Sequence, residues 1–138
     1  MRSTLVADTS VLYGALDRRD KAHPACVETL SSAGAVAIPV PAIVETALLA
    51  ERRLGVPTMA RFLASVVDDS VLVVDLDRED YARVLELVVR YDDLPLSVVD
   101  ASVVAIAERL EHDTIATLDR RHLSVVKPLH IEAFTLVP

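Results

Sequence analysis

Two hydrophobic rhythms alternate along the chain. Short, continuously apolar runs at residues 4–7, 35–38, 71–74, 114–118 and 134–137 are bounded by polar or turn-forming residues and read as strands. Between them the apolar positions recur at helical spacing. Val11, Leu12 and Ala15 mark a first helix, and His23-Pro24 opens a second that runs to about Ser32, with proline in its first turn. The charged segment 18–21 separates the two as a loop, and His23 is read as exposed beside it. A third helix over 42–54 begins at Pro41 and ends at Gly55, with Arg52 and Arg53 in its last turn. Pro57 starts a fourth, through Phe62 and Val66, which the polar Asp68, Asp69 and Ser70 close as a solvated turn. Residues 77–80 have the pattern of an N-cap and acidic first turn for a helix over 81–91, whose stripe is Val84, Leu85, Leu87 and Val88; these acids are read as surface. Asp92 and Asp93 break the pattern, Pro95 restarts it, and a helix over 97–111 follows. Short buried strands alternating with helices indicate an α/β fold around a mostly parallel sheet of four or five strands, with helices on its faces.

Composition narrows this picture. A chain of 138 residues that is 52% hydrophobic and 4% aromatic makes one domain with a core of Ala, Val, Leu and Ile. The lone cysteine, Cys26, falls on a helical apolar position and is assigned to the core; no Cys/His cluster has zinc spacing, which suits a reducing cytoplasm. No apolar run reaches the ~20 residues that span a bilayer, and the N-terminus leads into a strand rather than a signal peptide, so the expectation is a cytoplasmic protein with no membrane partner. A net charge of −7 excludes coating of nucleic acid by bulk attraction, while leaving room for local basic clusters or bound cations.

Four carboxylates interrupt the hydrophobic pattern where a structural chain would avoid them. Asp8 and Asp119 end apolar strands, and residues at the carboxyl ends of strands line the usual crevice of open α/β sheets. Asp100 shares a helix face with Leu96, Val103, Val104 and Ala107, and Glu45 lies a turn from Pro41, Ala42, Leu48 and Leu49. A carboxylate on such a face calls for a partner. Plain structural roles exist for each taken singly: Asp8 or Ser10 as a helix N-cap, and Glu45 as a charge favoured near a helix N-terminus. As a set, four acids at one sheet edge require a cation, and oxygen ligands select hard divalent ions, Mg²⁺ or Mn²⁺, over zinc. Such a site suits in-line phosphodiester hydrolysis. The chain carries no Gly-rich phosphate loop, nucleophile elbow, GxGxxG after a strand or Cys–His pair. A receiver-type phosphoacceptor site is disfavoured too, because Asp8 lacks an adjoining acid and no lysine lies near the later strand ends.

The segments around these acids, 6–12 with Asp8-Thr9-Ser10, 41–45 ending in Glu45, 98–107 with Asp100, and 115–122 with Thr117 and Asp119, resemble in order and spacing a PIN-domain ribonuclease, and in particular the VapC toxins of bacterial type II toxin–antitoxin systems. The resemblance covers nearly the whole chain and implies an α/β/α sandwich. It implies further that Asp8, Glu45, Asp100 and Asp119 are catalytic and bind Mg²⁺ or Mn²⁺, with hydroxyls of Thr9, Ser10 and Thr117 in support. The implied activity is cleavage of RNA, and the implied partners are a small cognate antitoxin that inhibits the enzyme and a second copy of the chain. Two basic groups flank the acids, Arg52-Arg53 below Glu45 and Arg120-Arg121-His122 after Asp119; they are either solvated surface or contacts to the RNA backbone. A degenerate PIN-fold module that binds a partner without catalysis is the alternative, and the complete set of acids argues against it.

Overall fold

In the computed structural model, which describes residues 4–138, five strands form one sheet in the order β3-β2-β1-β4-β5, and every neighbouring pair is parallel. The strands are β1 (Thr4–Ala7), β2 (Ala35–Pro39), β3 (Leu72–Val74), β4 (Thr114–Ala116) and β5 (Thr135–Val137). Helices α1 (Thr9–Leu16) and α2 (His23–Ser32) follow β1, and α3 (Val40–Leu54) and α4 (Val56–Val67) follow β2. Beyond β3 come α5 (Arg78–Arg90) and α6 (Val98–Arg109), and a short α7 (Arg120–Leu123) lies between β4 and β5.

The two-residue period of the strands divides the core. Leu5, Ala7, Val36, Ile38 and Ala116 point to one face, where Val11 and Leu12 of α1, Cys26 of α2, Ala42 and Ile43 of α3 and Phe62 of α4 cover them. Val6, Ala37 and Ile115 point to the other face and meet Val84 and Leu87 of α5, the buried run 101–107 of α6 and Leu123 of α7. The result is an α/β/α sandwich in which α6 is buried almost all round, so its hydrophobicity is not confined to a stripe. Two glycines make close packing possible. A Cβ on Gly14 would lie 2.7 Å from the Cys26 sulfur, where α1 meets α2. Gly55, at φ 97°, takes a backbone conformation that L side chains rarely adopt and lets the chain double back from α3 into α4.

Four details differ from the pattern read along the chain. The third strand is an edge rather than a buried strand, with Leu72 and Val73 about half exposed. His23 is the first residue of α2 and half-buried, its Nδ1 2.9 Å from the Gly14 carbonyl oxygen, not an exposed loop residue. Asp80 is buried and holds Arg109 at 3.0 Å while completing a reciprocal capping box with Asp77. Finally, the short α7 stands between the last two strands, where the sequence pattern predicts no helix. Among the described residues, no helix is long and apolar enough to cross a membrane.

Candidate active site

The strand order reverses direction at β1, since β2 and β3 lie on one side of it and β4 and β5 on the other. The carboxyl ends of β1 and β4 therefore flank a topological switch point, the usual position of a crevice in open α/β sheets. Ala7 pairs with Ala116 across it, which sets Asp8 beside Thr117. Asp8 is 2% exposed and its side chain is held from three directions. The Ser10 hydroxyl donates to Oδ1 at 2.6 Å, the Val11 N–H donates to the same oxygen at 3.2 Å, and the Thr117 hydroxyl donates to Oδ2. Ser10 also reaches across the switch point, where its Oγ accepts the Leu118 N–H at 2.8 Å, while Thr117 Oγ1 accepts the nearby Asp119 N–H at 2.8 Å. Asp8 is thus an N-cap as well as part of the cleft lining.

Asp100 occupies the first turn of α6, where Ser97 accepts its backbone N–H at 3.0 Å. Asp119 caps α7, accepting the His122 backbone N–H at 3.2 Å, while His122 Nδ1 lies 2.6 Å from its other oxygen. The remaining ring nitrogen of His122 is 3.0 Å from the Leu94 carbonyl oxygen. Both neighbours are acceptors, so a doubly protonated imidazolium satisfies both contacts. Asp119 is the chief cause that holds the His122 pKa above its ordinary value. One ligand atom from each of Asp100, Asp119 and His122 lies within 4.8 Å of the other two.

Glu45, from the second turn of α3, closes the ring. Asp8, Glu45, Asp100 and Asp119 line a single cleft of about 410 Å³, with Thr9, Ser10, Ser97 and Leu118 on its walls. Burial pushes the Asp8 carboxyl above its ordinary pKa against three hydrogen bonds that lower it, and the charge on Asp100 adds to the rise. Burial also raises Asp100, with Asp119 and Glu45 contributing by repulsion against lowering by Ser97 and His122. A carboxyl with a raised native pKa binds its proton more tightly folded than unfolded. Without a cation, Asp8 and Asp100 therefore oppose folding increasingly as pH rises from the ordinary carboxylate range through their raised values.

This donor set fits a hard divalent cation. Four carboxyl groups line one cleft, and the repulsion of Asp100 with Asp8, Asp119 and Glu45 is the kind a bound cation removes. The Thr9 hydroxyl, buried on the same wall, has no hydrogen-bond partner among the described residues. A PIN-domain family model matches residues 5–128, which contain all four acids.

The chain belongs to the PIN-domain family.

A curated relative of this PIN domain, ribonuclease VapC26 of Mycobacterium tuberculosis, is 29% identical over 135 residues, covering 97% of this chain and all of the relative. Among solved structures, M. tuberculosis VapC20, described as a sarcin–ricin-loop-cleaving toxin, superposes with a TM-score of 0.82 at 21% identity, covering 93% of this chain and 98% of that one. A toxin–antitoxin complex from Klebsiella pneumoniae gives a TM-score of 0.68 at 17% identity, with 92% of this chain and 99% of that chain covered. Both structures share the fold.

The flanking arginines of this PIN domain separate into different environments. Arg53 lines the acidic cleft, its guanidinium 5.4 Å from the centroid of the Tyr13 ring. Arg52 faces a neighbouring apolar groove along α3 with Val44 and Leu48. Arg120 turns away from the acids and donates to the carbonyl oxygens of Leu136 and Pro138. Arg121 is exposed on α7. The sequence pattern missed His122 as a site residue, along with Tyr13 and Asp20 on the cleft wall. His122 stood out only as part of a basic run, because its carbonyl partner lies on a different turn at Leu94.

Proposed function

We propose that this PIN domain is an endoribonuclease toxin of the VapC type that hydrolyses RNA phosphodiester bonds with Mg²⁺ or Mn²⁺. The reading rests chiefly on the convergence of Asp8, Glu45, Asp100 and Asp119 on one cleft at the sheet's switch point. The relative named ribonuclease VapC26, matched over nearly the full length of both chains, supports RNA as the substrate class. These four carboxylates would hold the ion, which supplies Lewis acidity for activating water and stabilising the charge that builds on the phosphorus oxygens. The chain's own residues keep the acids in position. Ser10 and Thr117 fix both oxygens of Asp8, so its rotamer is set before any ligand arrives. His122, anchored on Leu94, holds Asp119.

The reading also includes a cognate antitoxin as inhibitor. Val44 and Leu48 leave an apolar groove about half exposed beside Glu45, a surface suited to an apolar segment of such a partner. The solved toxin–antitoxin complex of the same fold makes this the natural partner class.

The test is incubation of bulk RNA with purified, antitoxin-free protein, with Mg²⁺ or Mn²⁺ or with EDTA. Cleavage in either metal and none in EDTA is the expected outcome. Intact RNA in all three, from a protein that melts cooperatively, overturns the reading.

A further inference from the structure

Hydrolysis at the acidic cleft leaves part of the arginine distribution without a role. Arg83 and Arg109, on the far side of the sheet, are ion-paired to Glu108 at 2.8 Å and to Asp80 at 3.0 Å. Arg18, Arg19, Arg53 and Arg61 make no such pair among the described residues. Nevertheless the α1–α2 loop and the α3–α4 hairpin bring these four together on a second cleft of about 590 Å³. Asp17 is the acid on its lining, and its carboxylate already accepts the Arg19 N–H at 3.0 Å and the Tyr13 hydroxyl at 3.2 Å. Thr58 accepts one N–H of Arg61 at 3.0 Å.

The two clefts share Arg53 as a wall. Its stacking on Tyr13, itself a wall of the acidic cleft, fixes the guanidinium at the junction. A polyanionic strand entering a pocket of four carboxylates is repelled by them, so the adjoining segments of that strand need cationic ground beside the site. Overall attraction cannot supply it at a net charge of −7. Guanidinium forks match phosphate oxygens in bidentate fashion.

We propose that the cleft of Arg18, Arg19, Arg53 and Arg61 holds the phosphates of a single RNA strand flanking the bond that lies over the acids. This deepens the ribonuclease reading and rests on it. It also moves the backbone contacts away from Arg52 and Arg120 to a surface assembled from two separate hairpins.

The test leaves Arg53 intact, because it borders the acidic cleft, and compares wild type with R18A/R19A/R61A. The control R78A/R90A/K127A changes the net charge equally on other surfaces. Binding of 5′-fluorescein oligo(U) of about 20 nucleotides is followed by anisotropy in EDTA across a salt series, with thermal melts verifying folding. Each phosphate contact on a single strand contributes about 0.7 to the slope of log K against log salt. The cleft variant should therefore lose about 2 from that slope and about tenfold or more in affinity at low salt, while the control keeps most of both. A cleft variant with the wild-type slope, or a control that loses as much, overturns the proposal. So does loss of binding to a fluorescein-labelled poly-Glu peptide with RNA binding intact, which would assign the cleft to an acidic protein segment. Failure of the ribonuclease reading registers separately, as absence of bulk RNA cleavage by the wild type in metal.

Discussion

Asp8→Asn should lower metal-dependent RNA cleavage by about 10³-fold or more while leaving the fold in place. The substitution removes one negative charge from the buried centre of the donor set and leaves a side-chain oxygen to accept the Val11 N–H, so the cap of α1 persists. It also removes the carboxylate on which the Ser10 hydroxyl of α1 and the Thr117 hydroxyl at the end of β4 converge. By contrast, Ser10→Ala should cost only about tenfold, because the acid remains and one of its supports is lost. Single-turnover cleavage rates, measured with circular dichroism melts on the same preparations, check both. An Asp8→Asn enzyme within tenfold of wild type would remove Asp8 from the reaction.

The second large effect is on stability, and it concerns the helix that carries Asp100. Glu108, on α6, accepts Arg83 Nε at 2.8 Å and Nη2 at 2.9 Å from α5, and its Oε2 also accepts the Leu129 N–H at 2.8 Å. The Arg83 and Glu108 side chains are 12% and 8% exposed, so Glu108→Ala leaves a nearly buried guanidinium with only the exposed Glu86 to pair with. The expected loss is about 3 kcal/mol in urea unfolding, with the m-value unchanged. Glu86 also touches Arg83, at 3.3 Å, but is 70% exposed, so Glu86→Ala should change stability by less than about 0.5 kcal/mol. Equal effects from the two substitutions would contradict the assignment of the buried pair as the tie between α5 and α6.

Much of this site could be read in the sequence because local rules and the active arrangement coincide. An apolar strand that stops at Asp8, and an apolar helix face interrupted by Asp100, are visible in windows of a few residues, and the sheet delivers both to one edge. What escaped the reading depends on pairings between distant segments. Nothing within residues 71–74 says that β3 has one neighbour instead of two, so its half-exposed Leu72 and Val73 looked like core. Four residues carry no measurable periodicity, so α7 was invisible, and with it the geometry that sets His122 between Asp119 and Leu94. Asp80 matched the pattern of an exposed cap, and only the return of α6 beside α5 supplies the Arg109 that permits its burial. Charge runs misled for the same reason. Arg120 follows Asp119 directly yet is held by the carbonyls of Leu136 and Pro138, whereas Arg18 and Arg61, far apart in sequence, share a cleft.

In the proposed site, a divalent ion bound among the four carboxylates relieves their mutual repulsion. Melting of wild type and Asp100→Asn at neutral pH, each in EDTA and in Mn²⁺, tests it most directly. Burial and repulsion raise the Asp100 pKa, so its ionised form opposes folding at this pH, and Asp100→Asn should melt above wild type in EDTA. Mn²⁺ bound to the native state should then raise the wild type, by about 2.7 kcal/mol at a hundredfold excess over Kd, and leave Asp100→Asn nearly unmoved, so that the order of the two proteins reverses. A wild-type melting temperature indifferent to Mn²⁺, or a variant that gains as much from it, would contradict the account.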